Sequence, residues 1–352
     1  MAKKVVTFGE IMLRLSPPGF QRFIQAREFE VIYGGGEANV AVSLAQFGVP
    51  VDFITRLPAN EIGEACLNYL RQFGVGTDKI IRGGKRLGIY FLEIGAMQRG
   101  SKVIYDRADS AFATLEPGMI DWDNVFAGAD WFHWTGITPA VSQNTAEECL
   151  NAVKKAQEKG LTISCDLNYR KKLWQWGKKA NEVMPELVKY ADIAIGNEED
   201  AEKVFGIKAP ETDVIGGKLD AEKYVVVAQE FMNKFPNLKK AAISLRGSIS
   251  ASHNRWSGIL YNGKNVYFGP QYEVTHIVDR VGGGDSFVSG LIYGLLNYPT
   301  EEQKIINFAV GASCLKHSIF GDFNLVTVEE VEKLSLIHIS EPTRPLYISY
   351  AV

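Results

Sequence analysis

A glycine-rich segment that ends in an acid is the part of this sequence whose residues most directly suggest chemistry. Residues 279–287 read Asp-Arg-Val-Gly-Gly-Gly-Asp-Ser-Phe, so Gly282, Gly283 and Gly284 lead directly into Asp285. Glycines let successive backbone N–H groups converge on an anion, and the predicted helix that follows adds its positive dipole end. A carboxylate here would repel the anion unless it has its own task, such as accepting a proton from an attacking hydroxyl. The segment predicts phosphoryl transfer to an alcohol; a flexible turn followed by an ordinary first-turn acid is the alternative.

A second run of glycines lies near the beginning of the chain. Gly34, Gly35 and Gly36 precede Glu37 and Asn39, and an apolar helical pattern follows. Glycines permit close approach to the backbone, while a carboxylate and an amide can bind hydroxyl groups. The run fits neither a Walker A loop nor a dinucleotide-binding motif. We therefore expect Gly35, Gly36, Glu37 and Asn39 to contact a hydroxylated substrate, with Asn39 as a simple helix cap as the alternative.

The composition argues against several classes of function. The 352 residues are 46% hydrophobic and 22% charged, as in a globular protein with a large core. A net charge of −3 gives no electrostatic case for nucleic acid, and no apolar run is long enough to cross a bilayer. The first residues do not resemble a secretory signal. The cysteines lack Cys-x-x-Cys spacing and the histidines lie apart, which favours a reducing compartment and no transition-metal cluster. We predict a cytoplasmic protein.

Short apolar, strand-like runs alternate with longer amphipathic stretches through most of the chain. This alternation predicts an α/β fold with a central, mostly parallel sheet covered by helices on both faces. Parallel sheets place ligands beyond the carboxyl ends of their strands, so Asp166 and Asn197, each directly after an apolar run, are candidates for function or polar residues that close a strand. The predicted strands are 5–8, 51–54, 131–134, 162–166, 193–195 and 241–245, and the predicted helices are 39–47, 61–73, 144–159, 183–189 and 221–235.

Two segments depart from this alternation. Residues of about 12–33 and 88–110 contain extended, alternating stretches with turns. They predict antiparallel strands outside the main sheet, which would form a small β-strand lid beside the pocket. Such a lid can exclude water from a phosphoryl transfer or form a subunit contact. We therefore expect a homo-oligomer, a dimer or higher, assembled through the lid.

The two glycine runs together resemble a known family. Gly35 to Ala41 near the start and Asp279 to Phe287 near the end resemble, in order and separation, the two signatures of the ribokinase-like (PfkB) carbohydrate kinases. The resemblance covers residues 1–336 and implies one kinase domain that uses ATP and Mg²⁺. A last helix is predicted over 328–336. Residues 337–352 show neither helical nor strand periodicity, and we interpret them as a non-native or irregular tail.

A narrower resemblance indicates an acid sugar as the substrate. The segment from Asp166 to Arg170, together with Tyr90, Tyr105 and Arg107, is similar to segments of the 2-keto-3-deoxygluconate kinases within that family. That substrate carries a carboxylate that a neutral hexose lacks. Arg107 and Arg170 could supply planar, bidentate donors to it. The alternative for each arginine is an ordinary ion pair at the surface or at a strand end.

The resemblance also implies where the nucleotide and the metal bind. Magnesium would be held mostly by phosphate and water rather than by a direct protein cage, with Asp200 reaching it through a water. Some positions depart from the family pattern: Asp200 replaces a glutamate, Ser250 a glycine and Gly283 an alanine, and Arg280 and Val281 replace a pair of small residues. The residues that the resemblance assigns to the nucleotide are Asn168, Arg170, Asn197, Arg246, Gly247, Ser250, Gly282, Gly284 and Asn307.

The hypothesis that follows is ATP-dependent phosphorylation of the C6 hydroxyl of 2-keto-3-deoxy-D-gluconate. Asp285 would be the general base, and the glycines of residues 282–284 would form an anion hole. A kinase for a neutral sugar, of the fructokinase or ribokinase type, and a non-catalytic sugar- or nucleotide-binding protein on the same fold are the alternatives. The residues do not separate the gluconate from the galactonate epimer.

Overall fold

A computed structural model describes residues 3–208 and 221–340. Within them, strands and helices alternate along the chain as the apolar pattern predicts. The strands are β1 (Val5–Phe8), β2 (Met12–Ser16), β3 (Glu30–Gly34), β4 (Val51–Ile54), β5 (Arg56–Leu57), β6 (Ile81–Arg82), β7 (Gly88–Glu93), β8 (Lys102–Asp106), β9 (Trp131–Thr135), β10 (Thr162–Asp166), β11 (Ile193–Gly196), β12 (Lys240–Ser248), β13 (Asn254–Tyr261), β14 (Val266–Phe268) and β15 (Tyr272–Val274). The helices are α1 (Gly36–Gln46), α2 (Glu61–Arg71), α3 (Trp122–Val125), α4 (Thr138–Val141), α5 (Gln143–Glu158), α6 (Ala180–Val188), α7 (Glu198–Phe205), α8 (Ala221–Lys234), α9 (Gly283–Asn297), α10 (Glu302–Lys316) and α11 (Val328–Ser340).

The central sheet is mixed, with a parallel centre and an antiparallel edge. Its strand order is β14-β13-β12-β11-β10-β9-β1-β4, and β15 also pairs with β13. All neighbours from β12 to β4 are parallel, whereas β13 pairs antiparallel with β12, β14 and β15. The predicted α/β class and mostly parallel sheet are confirmed, and every predicted strand and helix overlaps an observed one.

Two apolar cores lie on opposite faces of this sheet. Side chains alternate between the faces along each strand, so Val6 and Phe132 join one core while Val5 and Trp131 join the other. The first core is closed by α5, α6 and α8, and the second by α1, α2, α9 and α10. Because both faces are covered, ligands can reach the sheet only at its strand ends.

The predicted lid is a separate sheet with the order β3-β2-β7-β8. Its outer pairs are antiparallel, but β2 and β7 are parallel. The expectation of antiparallel strands was therefore wrong for the central pair. The chain leaves the lid after β3, adds α1, β4 and α2 to the main domain, and returns at β7, and this long crossover permits parallel pairing. Large apolar side chains of the lid are exposed, including Val31 at 58% and Ile104 at 55%.

The last helix is longer than predicted. The sequence indicates an end at residue 336, whereas α11 continues to Ser340, so the first residues of the predicted tail are helical. The nearest residue that breaks a helix is Pro342, which disfavours helical backbone at the residue before it. The remainder of the predicted tail, residues 341–352, lies outside the described residues. Within the described ranges, no helix is both long and apolar enough to cross a membrane.

Candidate active site

The glycine segment forms the entry to helix α9. Gly282 has a φ of 80° as the N-cap, and a Cβ there would lie 2.0 Å from the Asp322 carbonyl oxygen, so only glycine fits. The first N–H groups of a helix have no intrahelical acceptor. Gly283 donates to the Arg280 carbonyl at 3.3 Å, but the N–H groups of Gly284 and Asp285 have no acceptor among the described residues. These two open donors at the positive end of a 15-residue helix form a candidate anion hole.

The carboxyl group of Asp285 lies beside this opening and contacts the other glycine run. Asn39 donates from Nδ2 to Asp285 Oδ2 at 2.6 Å, and Gly36 brings helix α1 close to the same carboxylate. Burial raises the pKa of Asp285 to about 6, against the opposing effects of the Asn39 hydrogen bond and the Arg170 charge. A carboxylate with this pKa is ionised near neutral pH and still basic enough to accept a proton.

Polar residues follow β10 and β11 at the carboxyl edge of the sheet, as predicted. Burial, with nearby Asp200 and Asp285, raises the pKa of Asp166 well above its usual range. Asn168 has a φ of 38° and donates to Asp166 through both its backbone and its side chain. The Asn168 Oδ1 atom is buried without a partner in the described structure. An orphaned acceptor at a strand end indicates a place for a ligand or a water.

Asn197 and Asp200 cap helix α7 reciprocally. The Asp200 N–H donates to Asn197 Oδ1 at 2.9 Å, and the Asn197 N–H donates to Asp200 Oδ2 at 3.0 Å. The other Asp200 oxygen accepts from the Tyr169 N–H at 2.9 Å. Burial raises the pKa of Asp200 to about 6, and the Arg170 charge opposes that rise. Asp200 therefore links the segments that follow β10 and β11, and its carboxyl group can change its protonation state at the edge of the site.

A cleft of about 450 Å³ unites these elements beneath the lid. Lid side chains form one wall and the glycine segment forms the opposite wall. Most of the predicted site residues line the cleft: Gly35, Gly36, Asn39, Tyr90, Tyr105, Asn168, Arg170, Asn197, Arg246, Gly282, Gly283, Gly284 and Asp285.

Glu37 does not line the cleft. Its side chain is fully buried, and its Oε1 atom accepts from the Thr135 backbone at 3.1 Å and hydroxyl at 2.7 Å, and from the Thr138 hydroxyl at 2.8 Å. Burial raises the pKa of this carboxyl group to about 7. A Cβ at Gly9 would clash with it, so Gly9 makes room for the acid. The expected contact with substrate is corrected: Glu37 anchors α1 to β9.

Arg107 is also placed outside the cleft wall. Its guanidinium forms an ion pair with Glu10, a buried acid in the turn between β1 and β2, through Nε at 2.9 Å and through Nη2. Ser110 donates to the other Glu10 oxygen at 2.6 Å. Arg107 lines a different cavity, between lid strand β8 and residues of the main domain such as Val141 and Lys172. Of the two arginines predicted to bind the acid sugar, Arg170 lines the cleft and Arg107 does not.

Three residues assigned to the nucleotide also lie off the cleft wall. Gly247 pairs with Arg255 within the β12–β13 hairpin. The Ser250 carbonyl lies 3.4 Å from an Arg280 nitrogen, and its N–H donates to the His253 carbonyl at the turn of the same hairpin. Asn307 accepts from Gln303 on the exposed side of α10 and lines a separate cavity between α10 and α11.

A buried network of charges holds the lid against the glycine segment. Arg14 on β2 pairs through Nη1 with Asp279 at 2.7 Å and with Asp322 at 2.8 Å, and the Tyr90 hydroxyl donates to Asp322. Burial lowers the pKa of Arg14 and the two carboxylates raise it, and the net result is a pKa above the usual value. The sequence reasoning did not find Asp322 or Arg14. The available signal was a single charge in the alternating strand Met12–Ser16, whose other residues are apolar except for Ser16.

Two arginine side chains on the cleft wall, Arg246 and Arg280, are suited to binding polyphosphate. Arg246 lines the cleft without a hydrogen-bonded or ionic partner among the described residues. Arg280 donates to the Ala251 carbonyl, and its pKa is lowered by burial and by the Arg246 charge. Two neighbouring guanidiniums beside open N–H groups fit a nucleotide's phosphates. The described residues contain no group of three or more potential protein ligands for a metal ion. A magnesium ion would therefore fit here only if phosphate and water held most of it.

The known proteins to which this chain is similar include several carbohydrate kinases. The profile of the pfkB family carbohydrate kinases matches residues 2–322. The crystal structure of 2-dehydro-3-deoxygluconokinase from Thermotoga maritima is 50% identical, covers 96% of this chain and 99% of its own, and has a TM-score of 0.90. The crystal structure of a PfkB family carbohydrate kinase from Listeria grayi is 32% identical, covers 95% of this chain and 100% of its own, and has a TM-score of 0.86.

A curated relative from Haloferax volcanii, a 2-dehydro-3-deoxygalactonokinase, is 32% identical over 95% of this chain and 97% of its own length. The α/β fold with its lid is thus the ribokinase-like fold. The protein is a sugar kinase and belongs to the PfkB family of carbohydrate kinases.

Proposed function

We propose that this sugar kinase transfers the γ-phosphoryl group of ATP to the C6 hydroxyl of 2-dehydro-3-deoxy-D-gluconate, also called 2-keto-3-deoxy-D-gluconate. The observation that carries the chemistry is the buried Asp285 carboxylate, which has a pKa of about 6 and lies beside the open N–H groups of Gly284 and Asp285. The likeness to the Thermotoga maritima enzyme of that name supports the acid sugar as substrate.

In the proposed reaction, Asp285 accepts the proton of the sugar hydroxyl as its oxygen attacks. A bond forms between that oxygen and the γ-phosphorus, and the bond from the γ-phosphorus to the bridging oxygen of ADP breaks. The open N–H groups stabilise the charge on the transferring group, and Arg246 and Arg280 neutralise the remaining phosphates. A magnesium ion would supply further positive charge at the phosphates. The lid excludes water, which would otherwise compete with the sugar hydroxyl.

The preference for an acid sugar rests on Arg170. Its guanidinium lines the cleft, and its charge lowers the pKa values of Asp200 and Asp285, against the larger effect of burial. A planar guanidinium can bind a carboxylate with two parallel hydrogen bonds, which a neutral hexose cannot accept in the same way. Tyr90 and Tyr105, whose ring centroids are 6.2 Å apart, provide the facing wall of the lid.

The test is ADP release measured in parallel with 2-dehydro-3-deoxygluconate, 2-dehydro-3-deoxygalactonate, fructose and ribose. The gluconate is expected to give the highest kcat/KM. Higher kcat/KM with fructose or ribose would refute the acid-sugar assignment, and preference for the galactonate would correct only the epimer, as the Haloferax volcanii relative makes worth testing. Absence of sugar-dependent ADP release with magnesium present would leave a non-catalytic binding protein.

Substitutions at Asp285 and Arg170 test the roles proposed for these two residues. Asp285→Asn removes the base and is expected to lower kcat by about 10²–10⁴. Arg170→Met is expected to raise KM for the acid sugar, and its matched control, Arg71→Met, changes a half-exposed arginine on α2. Near-normal turnover by Asp285→Asn with both ligands bound would contradict the mechanism. Equal KM values for the two arginine variants would contradict the role of Arg170.

The proposed setting is the cytoplasm. All four cysteines (Cys66, Cys149, Cys165 and Cys314) are free thiols, and the first three are buried. Free thiols persist in a reducing compartment.

A further inference from the structure

A fully buried lysine lies directly beneath the glycine segment. Lys316 is the last residue of α10 and has 0% exposure. Its ammonium donates to the Asp279 carbonyl at 3.2 Å and to the Ile319 carbonyl at 3.1 Å. Removing an ammonium from water is unfavourable unless hydrogen bonds and nearby charges compensate. The proposed reaction makes no direct use of this residue.

Residues in the last turn of helix α10 and directly after it contact the glycine segment and the residue before it. The Ser313 hydroxyl donates to the Gly283 carbonyl at 2.5 Å, and the His317 carbonyl accepts from the Val278 N–H at 2.8 Å. Lys316 lies between these contacts, and a Cβ on Gly282 would be 3.4 Å from the Lys316 Cε. The lysine stem therefore packs under the glycine that opens the anion hole, and its head binds the carbonyl at the base of the loop.

The ammonium is positioned to act electrostatically. Within the described residues, no carboxylate lies close enough to form an ion pair with it, so carbonyl oxygens are its direct partners. Burial lowers the pKa of Lys316, and the charges of Asp279 and Asp322 oppose that effect. After the larger effects of burial, Asn39, Arg170 and Asp322, of which Asp322 raises the pKa of Asp285, the Lys316 charge also acts on that pKa and lowers it. Its field thus reaches the carboxylate at the anion hole.

We propose that Lys316 is a positioning residue for phosphoryl transfer. It acts as a cation tethered to α10 that fixes the base of the glycine segment and adds positive charge behind the open N–H groups of Gly284 and Asp285. The proposal rests on the proposed function of that loop as the anion hole. It assigns Lys316 an effect on the transition state and only a small effect on sugar binding, because the lysine lies outside the cleft wall.

The decisive variant is Lys316→Met, which keeps the length of the side chain and removes the charge. Misplacing a catalytic group by about 1 Å can cost about 100-fold in rate, so we expect kcat to fall roughly 10- to 100-fold. KM for the sugar should stay within about twofold, since an interaction made only in the transition state affects kcat alone. Lys333→Met, at an exposed lysine on α11, is the matched control and should behave as wild type.

Chemical rescue separates positioning by a cation from a general role in packing. Lys316→Ala leaves space for a small amine in place of the ammonium. Methylammonium and ammonium are expected to restore part of kcat, whereas tetramethylammonium at equal ionic strength, which has no N–H donor, is not. Unchanged kcat in Lys316→Met would overturn the proposal, and so would a loss of kcat that neither small amine restores.

The result remains interpretable if a variant is unstable. Melting temperature and circular dichroism are measured for each protein, and Lys316→Gln, which keeps an N–H donor without charge, is used if the methionine variant does not fold. Failure of all three Lys316 variants to fold would assign the ammonium to folding and would also overturn the proposal. Wild-type kinase activity is measured alongside. Its absence would refute the proposed function itself, whereas an active wild type with a normal Lys316→Met would refute this inference alone.

Discussion

Replacing Asn39 by leucine should shift the acid limb of the pH–rate profile to higher pH. In the wild type, the Asn39 amide donates to the Asp285 carboxylate at 2.6 Å and lowers its pKa against the larger effect of burial. Leucine has nearly the same shape but no donor, and it keeps water out of the vacated position. The ionised form of Asp285 is therefore less stable in the variant, and the carboxyl group should hold its proton to a higher pH.

The size of the effect follows from the hydrogen bond. A hydrogen bond to a charged group contributes about 1.5–3 kcal/mol, and about 1.4 kcal/mol corresponds to one pKa unit. The pKa of Asp285 should thus rise from about 6 to between about 7 and 8. With a pKa of about 7.5, the ionised fraction at pH 7 is about fourfold lower than in wild type, and the difference disappears above about pH 9.

The assay is kcat/KM for the proposed acid-sugar substrate from about pH 5 to 9.5, because this parameter reports the ionisation of the free enzyme. ADP is quantified directly, so that no coupling enzyme imposes its own pH dependence. Asn39 lines the cleft and also accepts from the Gly35 N–H at 3.2 Å, so the lost contacts are expected to lower kcat/KM by the same factor at every pH. That scaling does not move the position of the acid limb.

The control is Asn68→Leu, at an exposed position on α2. An acid limb in Asn39→Leu that stays at the wild-type pH would refute the reasoning. The base would then not be Asp285, or the short contact would not form in solution. An equal shift in the control would show that the effect is not local.

Three further outcomes are expected from other parts of the molecule. Burial raises the pKa of Glu37 from 4.5 to about 7, so its contribution to stability is complete below about pH 4.5 and is lost as the pH rises through about 7. Relative to Glu37→Gln, wild type should therefore lose about 3 kcal/mol of unfolding free energy across that range, measured by urea titration at each pH. Parallel curves of unfolding free energy against pH for the two proteins would contradict this. Arg14→Met leaves two buried aspartates without their cation and should lower the unfolding free energy by about 3–5 kcal/mol, measured in the same way, whereas a loss below about 1 kcal/mol would show that the ion pairs are not formed. If the exposed apolar side chains of the lid form a homodimer contact, Ile104→Asp and Val31→Asp should each give monomers in sedimentation experiments, and an unchanged mass in both would exclude the lid as the interface.

Those parts of the fold that depend on neighbouring residues could be predicted from the sequence. The predicted bounds of β1, β4 and β10 agree with the structure, because each is a short, largely buried run rich in β-branched and apolar residues. The two glycine runs also came together as expected, since each opens a helix at the carboxyl edge of the sheet. Asn39 and Asp285 are 246 residues apart in the chain and share a hydrogen bond.

Long-range electrostatics could not be predicted in this way. The alternation in β2 favours Leu13 and Leu15 as the inward face, but Arg14 is the fully buried residue. Its burial depends on Asp322, which is 308 positions away, and no local pattern reveals that partner. For the same reason Arg107 was expected at the substrate, whereas Glu10, 97 residues earlier, binds its guanidinium.

The lid cannot be exchanged between kinases as an independent module. Arg14 and Tyr90 lie on two different lid strands, and both contact Asp322, whose main-chain oxygen in turn restricts position 282 to glycine. A chimera that received a foreign lid would leave this acid without its partners, next to the backbone of the glycine segment. Grafting for a new sugar specificity should therefore transplant these three side chains as one unit, or retain all three and redesign only the outer surface of the lid.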